Sequence, residues 1–171
     1  AEIEIAGHKA FVAMTTSDVR QEYEIICREL TEQGFKIVPD KSLTLEKAAL
    51  EDEVAAYLED CEFAIQLIGG NYGIVPENAT NSLLELQSVQ IRNWVAESDT
   101  RQFIWIAKEL EVTDERQQSF LDHIRTIDAA SHQCDVIEGQ VTLLKETLRR
   151  RLAENKSDSS DAHETSTVKQ I

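Results

Sequence analysis

One apolar run limits the folds open to this chain more than any other segment. Residues Phe63–Ile68 read Phe-Ala-Ile-Gln-Leu-Ile, a nearly continuous apolar stretch that two glycines follow. A short run without alternation of polar and apolar side chains is typical of a strand that is buried on both faces. Such strands occur in parallel sheets that helices cover on both sides. We therefore expect an α/β fold with Phe63–Ile68 inside its sheet.

Strand-like and helix-like segments alternate along the rest of the chain. The other short apolar runs are Phe11–Met14, Phe35–Val38, Gln102–Ala107 and Asp135–Glu138. Segments with apolar residues at helical spacing follow each run, and hairpin signals are absent. This alternation predicts a doubly wound, five-stranded parallel sheet with helices on both faces. Right-handed crossovers favour the flavodoxin-like strand order 2-1-3-4-5, whose switch point lies between the first and third strands.

The composition changes near the end of the chain. Residues 9–153 have the patterning of one domain, and the 171-residue chain is long enough for a real core. Residues 154–167 are polar and low in apolar side chains, which predicts a linker. Val168–Ile171 is apolar again, so we interpret it as the start of a following domain. The alternative is a tail that docks on the first domain.

Charge and hydropathy argue against two classes of partner. The formal net charge is −15, which repels a nucleic-acid backbone. The basic run Arg149–Arg151 falls late in a predicted helix, where cations complement the helix dipole. No apolar run reaches the roughly 18 residues that a membrane span requires. We expect neither nucleic acid nor membrane as a partner.

Cysteine and histidine positions give no sign of a disulfide framework or a metal site. Cys27, Cys61 and Cys134 are odd in number and far apart, and the histidines show no metal-ligand spacing. Cys27 falls on the apolar stripe of a predicted helix, where it would act as a small buried hydrophobe. The sequence also lacks the basic-then-apolar start of a secretory signal. These features favour a reducing, cytoplasmic location and no bound metal.

Glycines and polar residues gather where the first three strands are expected to end. Ligands bind at the carboxyl ends of the strands in open parallel sheets, and the helix N-termini there suit a phosphate. Glycine lets backbone approach a ligand closely. The substrate-binding candidates at this edge are Thr15, Thr16, Ser17, Asp40, Lys41, Gly69, Gly70 and Tyr72.

Two further polar residues, Ser82 and Glu85, lie in the first turn of the helix after the third strand. The chain has no Walker loop, and no G-x-G-x-x-G follows the first strand, so triphosphate hydrolysis and dinucleotide redox chemistry are not expected. One carboxylate beside hydroxyls and backbone amides remains. Such a carboxylate can stabilise an oxocarbenium-like sugar, or hold ribose hydroxyls, during N-glycosidic cleavage without a metal.

Each of these residues also has a purely structural interpretation. Ser82 and Asp18 are good helix N-caps. Glu85 is a carboxylate near a helix N-terminus, which is favourable in itself. Gly69 and Gly70 could simply end a strand tightly, and Tyr72 could simply pack.

Four segments resemble one protein family. They are Ala10–Glu22, Gly34–Asp40, Ile68–Gly73 (Ile-Gly-Gly-Asn-Tyr-Gly) and Ser82–Leu86 (Ser-Leu-Leu-Glu-Leu). Together they are similar to bacterial Toll/interleukin-1 receptor (TIR) domains, and more closely to a TIR-related family found at the amino end of large bacterial proteins. The resemblance spans residues 9–152. Leu83-Leu84 stands where the family often has Trp-Cys, and the Pro-Gly often seen in its assembly loop is absent.

The resemblance implies a function and assigns roles. Enzymatic TIR domains cleave NAD into nicotinamide and an ADP-ribose product, with NAD as substrate and no redox cofactor. By this match Glu85 is the catalytic residue, Ser82 its companion, and the loop from Asp40 to Leu45 covers the nicotinamide side and mediates homotypic assembly. We then expect Glu85 to face the crevice between Met14–Asp18 and Gly69–Tyr72.

Two other functions stay open at this point. The first is a non-catalytic TIR-like module for protein interaction and self-assembly. The second is an enzyme similar to a nucleoside deoxyribosyltransferase, in which Asp18 or Asp40 would recognise the base beside a nucleophilic Glu85. The expected following domain favours a large bacterial signalling or defence protein in each TIR-like case.

Overall fold

The computed structural model of this protein describes residues 8–154. Residues 8–139 of that range belong to one compact unit and residues 140–154 to a second. The strands of the first unit are β1 (Lys9–Val12), β2 (Lys36–Val38), β3 (Phe63–Ile68), β4 (Arg101–Ala107) and β5 (Cys134–Gly139). Its helices are α1 (Arg20–Glu32), α2 (Lys47–Leu58), α3 (Leu83–Glu97) and α4 (Glu115–Thr126). In the second unit, residues 141–154 form helix α5.

The sheet has the predicted topology. Within the described residues its five strands lie in the order β2-β1-β3-β4-β5, and every neighbouring pair is parallel. Phe11 is in register with Ala64 of β3, and Ile65 is in register with Phe103 of β4. The flavodoxin-like α/β fold is therefore confirmed, with the switch point between β1 and β3.

The apolar run that predicted this fold is buried throughout. All six residues of β3 are buried. Successive side chains of a strand point to opposite faces, so both faces of β3 are covered. Its one polar side chain, Gln66, donates from Nε2 to the carbonyl oxygen of Leu84 over 3.2 Å. That bond connects the middle of the sheet to the first turn of α3.

Helix α3 lies between two other helices on one face of the sheet. Toward β1 it shares a core with α2, to which Leu86 and Ile91 contribute. Toward β4 its residue Leu84 shares a second core with Phe120 and Ile124 of α4, and Ile124 is fully buried. The two clusters fix the N-terminus of α3 at the carboxyl edge of β3.

The opposite face is covered by α1. The connection from β1 to β2 runs in the direction opposite to the three later connections, so right-handed crossovers place α1 across the sheet from α2, α3 and α4. Ile26 and Leu30 of α1 are fully buried. The helix ends before Gly34, whose φ of +95° is a conformation that glycine adopts at little cost.

The two predicted helix caps have different outcomes. Ser82 is the N-cap of α3, and its hydroxyl oxygen accepts a hydrogen bond from the Glu85 amide at 3.2 Å. The prediction for Asp18 is wrong. A 3₁₀ turn over Ser17–Val19 precedes α1, whose N-cap is Val19 without a side-chain bond. Asp18 turns instead toward the end of β3.

The predicted linker and following segment lie almost wholly beyond the described range. Glu154, the first residue of the predicted linker, is helical, and the rest of the linker and Val168–Ile171 lie outside the described residues. None of the helices in residues 8–154 combines the length and apolar character that crossing a bilayer requires.

Candidate functional site

Two of the cavities among the described residues contain predicted site residues. The first, which we call the loop cavity, has a volume of about 510 Å³ and lies between the loops that follow β1 and β2. It brings together five of the predicted substrate-binding residues: Thr15, Thr16, Ser17, Asp40 and Lys41. Sequence analysis missed Arg20 and Tyr23, which also line it. Both lie on α1 one turn apart, a spacing that marks a shared helix face and could have revealed them.

The polar groups of the loop cavity are mostly exposed. Asp40 accepts a hydrogen bond from the Tyr57 hydroxyl at 3.2 Å and lies 3.8 Å from the Lys36 ammonium group. A hydrogen bond from its own backbone amide, with smaller effects of Tyr57 and nearby lysines, lowers the pKa of Asp40. Lys41 and Arg20 add two cationic side chains to the same rim. The cavity therefore offers the kinds of group that bind an anionic ligand.

The hydroxyl groups after β1 also stabilise the fold. Thr15 donates to the carbonyl oxygen of Leu67, and Thr16 donates to the Asp18 carboxylate. Because these hydroxyl protons are used within the protein, Thr15 and Thr16 face a ligand mainly as acceptors.

The two glycines after β3 are packed against the protein's own atoms. A Cβ added to Gly69 would lie 2.2 Å from Oδ2 of Asp18, and one added to Gly70 would lie 2.4 Å from the carbonyl oxygen of Glu111. The Gly70 amide donates to Asp18 at 2.9 Å, and the Gly69 carbonyl accepts from Gln117 at 2.8 Å. Close packing accounts for both glycines, and their contact with a ligand stays a prediction.

Glu85 lines the second cavity, which we call the helix cavity. It has a volume of about 300 Å³ and lies between α3 and α4. The other residues that line it are Asn81, Ser88, Val89, Arg92, Ser119, Phe120 and His123. None of these residues also lines the loop cavity. The structure thus places Glu85 beside Tyr72 and does not bring it into one cavity with Met14–Ser17.

Tyr72, Ser82 and Glu85 form a closed set of hydrogen bonds. The Tyr72 hydroxyl donates to Oε2 of Glu85 at 2.6 Å and accepts from the Ser82 amide at 3.0 Å. Ser82 is fully buried, and Tyr72 is only 5% exposed. Burial, and then the hydrogen bond to Glu85, raise the pKa of Tyr72. Tyr72 is therefore buried and packed, as its structural interpretation predicted, and it also makes specific polar contacts.

Arg116 lies over the aromatic ring of Tyr72. Its guanidinium carbon lies 4.1 Å from the centre of the Tyr72 ring, a cation–π arrangement. Asp114 is the N-cap of α4 and also binds the Arg116 side chain, with an N–O distance of 2.8 Å. The hydrogen bond from Arg116 lowers the pKa of Asp114. Nothing in the sequence connects Arg116 with Tyr72, which lies more than forty residues earlier.

An ion pair between Arg92 and the buried Asp128 borders the helix cavity. Nε of Arg92 lies 2.9 Å from Oδ1 of Asp128, which is 2% exposed, and Arg92 also donates to the Ser88 hydroxyl at 3.3 Å. A buried carboxylate needs such a partner. The charge of Arg92 is therefore committed to the fold.

The described residues show no metal centre and no disulfide. No group of three or more His, Cys, Asp or Glu side chains in residues 8–154 is placed to hold a metal ion. All three cysteines are free. Burial raises the pKa of the Cys61 and Cys134 thiols to about 12. Cys27 is half-buried, although its place on the apolar stripe of a helix predicted that it would be buried.

Comparisons with known proteins add no relative. No family model, no curated protein and no solved structure matches the chain. A functional proposal therefore depends on the contacts of Tyr72, Ser82 and Glu85, and on the resemblance of the motifs that contain them.

Proposed function

We propose that this domain is TIR-like and cleaves the nicotinamide–ribose bond of NAD when copies of it assemble. We place it in a bacterial signalling or defence protein of the cytoplasm. The observation that carries the proposal is the Glu85 carboxylate, half-buried in the first turn of α3 and bound at 2.6 Å by the Tyr72 hydroxyl. NAD is the substrate in this proposal, and no redox cofactor takes part.

The reaction suits a single fixed carboxylate. When the bond between ribose C1′ and the pyridinium nitrogen breaks, neutral nicotinamide leaves with the bonding electron pair and positive charge develops on the ribose. A nearby carboxylate stabilises that charge, and water then adds at C1′ and releases a proton. Such stabilisation is strongest where the charged group is oriented in advance and partly shielded from water. Glu85 meets both conditions.

The loop cavity supports a binding function. Its cationic residues Arg20 and Lys41 suit the diphosphate of a dinucleotide, and Ser17 and Asp40 can hydrogen-bond ribose hydroxyls. Because the loop and helix cavities share no lining residue, the proposal requires a closure that brings them together. Assembly of copies would supply it.

One surface feature favours assembly. Leu45 and Ile74 are 44% and 51% exposed, although both are large apolar residues. The segments that carry them are joined, since the Glu77 amide donates to the Leu45 carbonyl at 3.0 Å. Leu45 also ends the loop to which the resemblance assigns homotypic contacts. Exposed apolar side chains in one region are typical of interaction surfaces.

The same feature supports a second candidate, a non-catalytic self-assembly module. In that case Glu85 would serve only as the hydrogen-bond partner of Tyr72. No observation favours the deoxyribosyltransferase-like alternative. Asp40 lines the loop cavity, and Asp18 binds the Gly70 amide. Neither aspartate lines the cavity that Glu85 lines.

The proposal is tested by incubating the full chain with NAD at rising protein concentration and measuring nicotinamide release. Wild-type protein should release nicotinamide at a rate that increases more than linearly with concentration, and Glu85→Ala should release none. Glu97→Gln is the matched control, since it alters an exposed carboxylate at the other end of α3. Wild-type protein that stays inert at high concentration would favour the self-assembly module.

A further inference from the structure

The Tyr72 side chain contacts Ser82, Glu85 and Arg116. Its ring is buried, its oxygen contacts one amide and one carboxylate, and the Arg116 guanidinium lies over its outer side. Tyr72 is joined to Ser82 and Glu85 across a loop, at separations of ten and thirteen residues. From the sequence alone, Tyr72 is a substrate-binding candidate or a residue that simply packs.

The direction of the phenol proton follows from its two partners. The Ser82 backbone amide can only donate, so the phenol oxygen accepts there. The phenol proton is then free for Glu85, whose Oε2 lies 2.6 Å away. A short bond between a hydroxyl and a carboxylate is of the stronger, charge-assisted kind. The phenol hydroxyl is therefore the donor in this bond, and the side-chain oxygen of Glu85 is the acceptor.

The same carboxylate is fixed at its backbone. The Glu85 amide donates to the Ser82 hydroxyl at 3.2 Å, so both the main chain and the side chain of Glu85 are tied to residues of one loop. Glu85 lines the helix cavity, and its Oε2 is engaged by Tyr72.

We propose that Tyr72 is the positioning residue of the site: its hydroxyl holds Oε2 of Glu85 so that Oε1 faces the reacting ribose in the helix cavity. The inference rests on the proposed function, because the reaction is NAD cleavage by Glu85. Tyr72 itself touches neither the scissile bond nor the leaving group. The Arg116 guanidinium lies over the Tyr72 ring, with its carbon 4.1 Å from the ring centre.

The first test compares kcat and KM for NAD cleavage in wild type and Tyr72→Phe. A carboxylate that has lost its anchor still carries charge but occupies the productive orientation less often. We expect kcat to fall about 10-fold or more, with KM within about twofold because substrate binding is not altered. Circular dichroism and the unfolding midpoint establish that the variant is folded. A folded Tyr72→Phe with unchanged kcat would overturn the inference.

A second measurement needs no activity and no Tyr72 variant. Tyrosine labelled with ¹³C at Cζ reports the ionisation of each of the three tyrosines by NMR. Glu85→Gln keeps the side chain's shape but removes the charge, so the pKa of Tyr72 should fall in that variant. Glu97→Gln should leave it unchanged. A Tyr72 titration that Glu85→Gln does not move would overturn the inference even if Tyr72→Phe fails to fold.

The two proposals fail in different ways. If wild type cleaves NAD and either test above is negative, the proposed function survives and the positioning role does not. If wild type is inert while Glu85→Gln still moves the Tyr72 titration, the contact is real in solution. The reaction, and with it the role of Tyr72 in that reaction, is then rejected.

Discussion

The loop cavity lies between the loops that follow β1 and β2, the helix cavity lies between α3 and α4, and the two are built differently. The loop cavity gathers exposed side chains from two loops, and its carboxylate Asp40 is held by Tyr57, in an exposed setting, at 3.2 Å. The helix cavity presents Glu85 from the first turn of a helix, held by the buried Tyr72 at 2.6 Å. The same pair of groups, a phenol and a carboxylate, thus occurs in an exposed setting and in a partly buried one.

The difference separates two tasks. Groups that water solvates can rearrange around ligands, and each contact contributes little. A hydrogen bond inside a low-dielectric region is stronger and keeps a fixed geometry. Under the proposed function, the loop cavity binds the charged part of the dinucleotide and the helix cavity carries out the chemistry. If this division holds, variants in the two cavities should fail in different ways.

The largest expected effect separates chemistry from binding. Glu85→Gln should lower kcat for NAD cleavage about 100-fold or more, because it removes the charge that stabilises the transition state. Lys41→Ala should instead raise KM, with kcat largely retained, because it removes a contact made equally before and during the reaction. Steady-state kinetics of both variants measure this. A loss of kcat in Lys41→Ala as large as in Glu85→Gln would contradict the division.

The next effect concerns the packed end of β3. Gly70→Ala should lower the free energy of unfolding by about 1–3 kcal/mol, since the new methyl group would meet the Glu111 backbone at 2.4 Å and overpack the site. Chemical denaturation measures the change. Asn93→Ala, at an exposed position of α3, should change it by no more than about 0.5 kcal/mol. A Gly70→Ala variant as stable as wild type would mean that this edge is open rather than packed.

The two tyrosines provide a matched pair. Tyr72→Phe should cost about 1–3 kcal/mol of stability, because it leaves the buried Ser82 amide without an acceptor. Tyr57→Phe removes a hydroxyl from the exposed Asp40 and should leave the unfolding midpoint unchanged. Equal shifts of the two unfolding midpoints would show that the hydroxyl groups of Tyr72 and Tyr57 contribute equally to stability, against the expected difference between the two cavities.

The smallest effect is a titration in the loop cavity. Because hydrogen bonds lower the pKa of Asp40, its carboxyl group should stay ionised to a lower pH than a free aspartate. Tyr57→Phe should raise that pKa part of the way back, since the Tyr57 bond is one of the smaller causes. Carboxyl-detected NMR across the acidic range follows both. An Asp40 that titrates like a free aspartate would place its side chain in open solvent.

Contacts between residues that are close in the sequence were predictable, and contacts between distant residues were not. The six-residue apolar run of β3 and the alternation around it predicted the sheet and its strand order, because burial on both faces is a property of one short segment. The Ser82 cap was predictable because its partner, Glu85, is three residues away. Asp18 looked like a cap by the same local reasoning, but its carboxylate accepts from Thr16 and from the amide of Gly70, 52 residues later.

The candidate site was predictable only as separate pieces. The sequence indicated Glu85, Tyr72 and the hydroxyls after β1, but it placed them in one crevice. The helical positions of α3 decide the outcome: Leu84 faces the core, Gln87 bonds the backbone of Met14, and Glu85 therefore faces α4. Which neighbour a helix face meets depends on the packing of α2, α3 and α4. No single segment encodes that.

In the proposed function, the carboxylate of Glu85 performs the chemistry. The most direct test is nicotinamide release from NAD by concentrated wild type, Glu85→Gln and Glu97→Gln, measured side by side. We expect release by wild type and Glu97→Gln at similar rates, and release by Glu85→Gln at a rate lower by about 100-fold or more. Equal release by wild type and Glu85→Gln, or no release by any of the three, would contradict the claim.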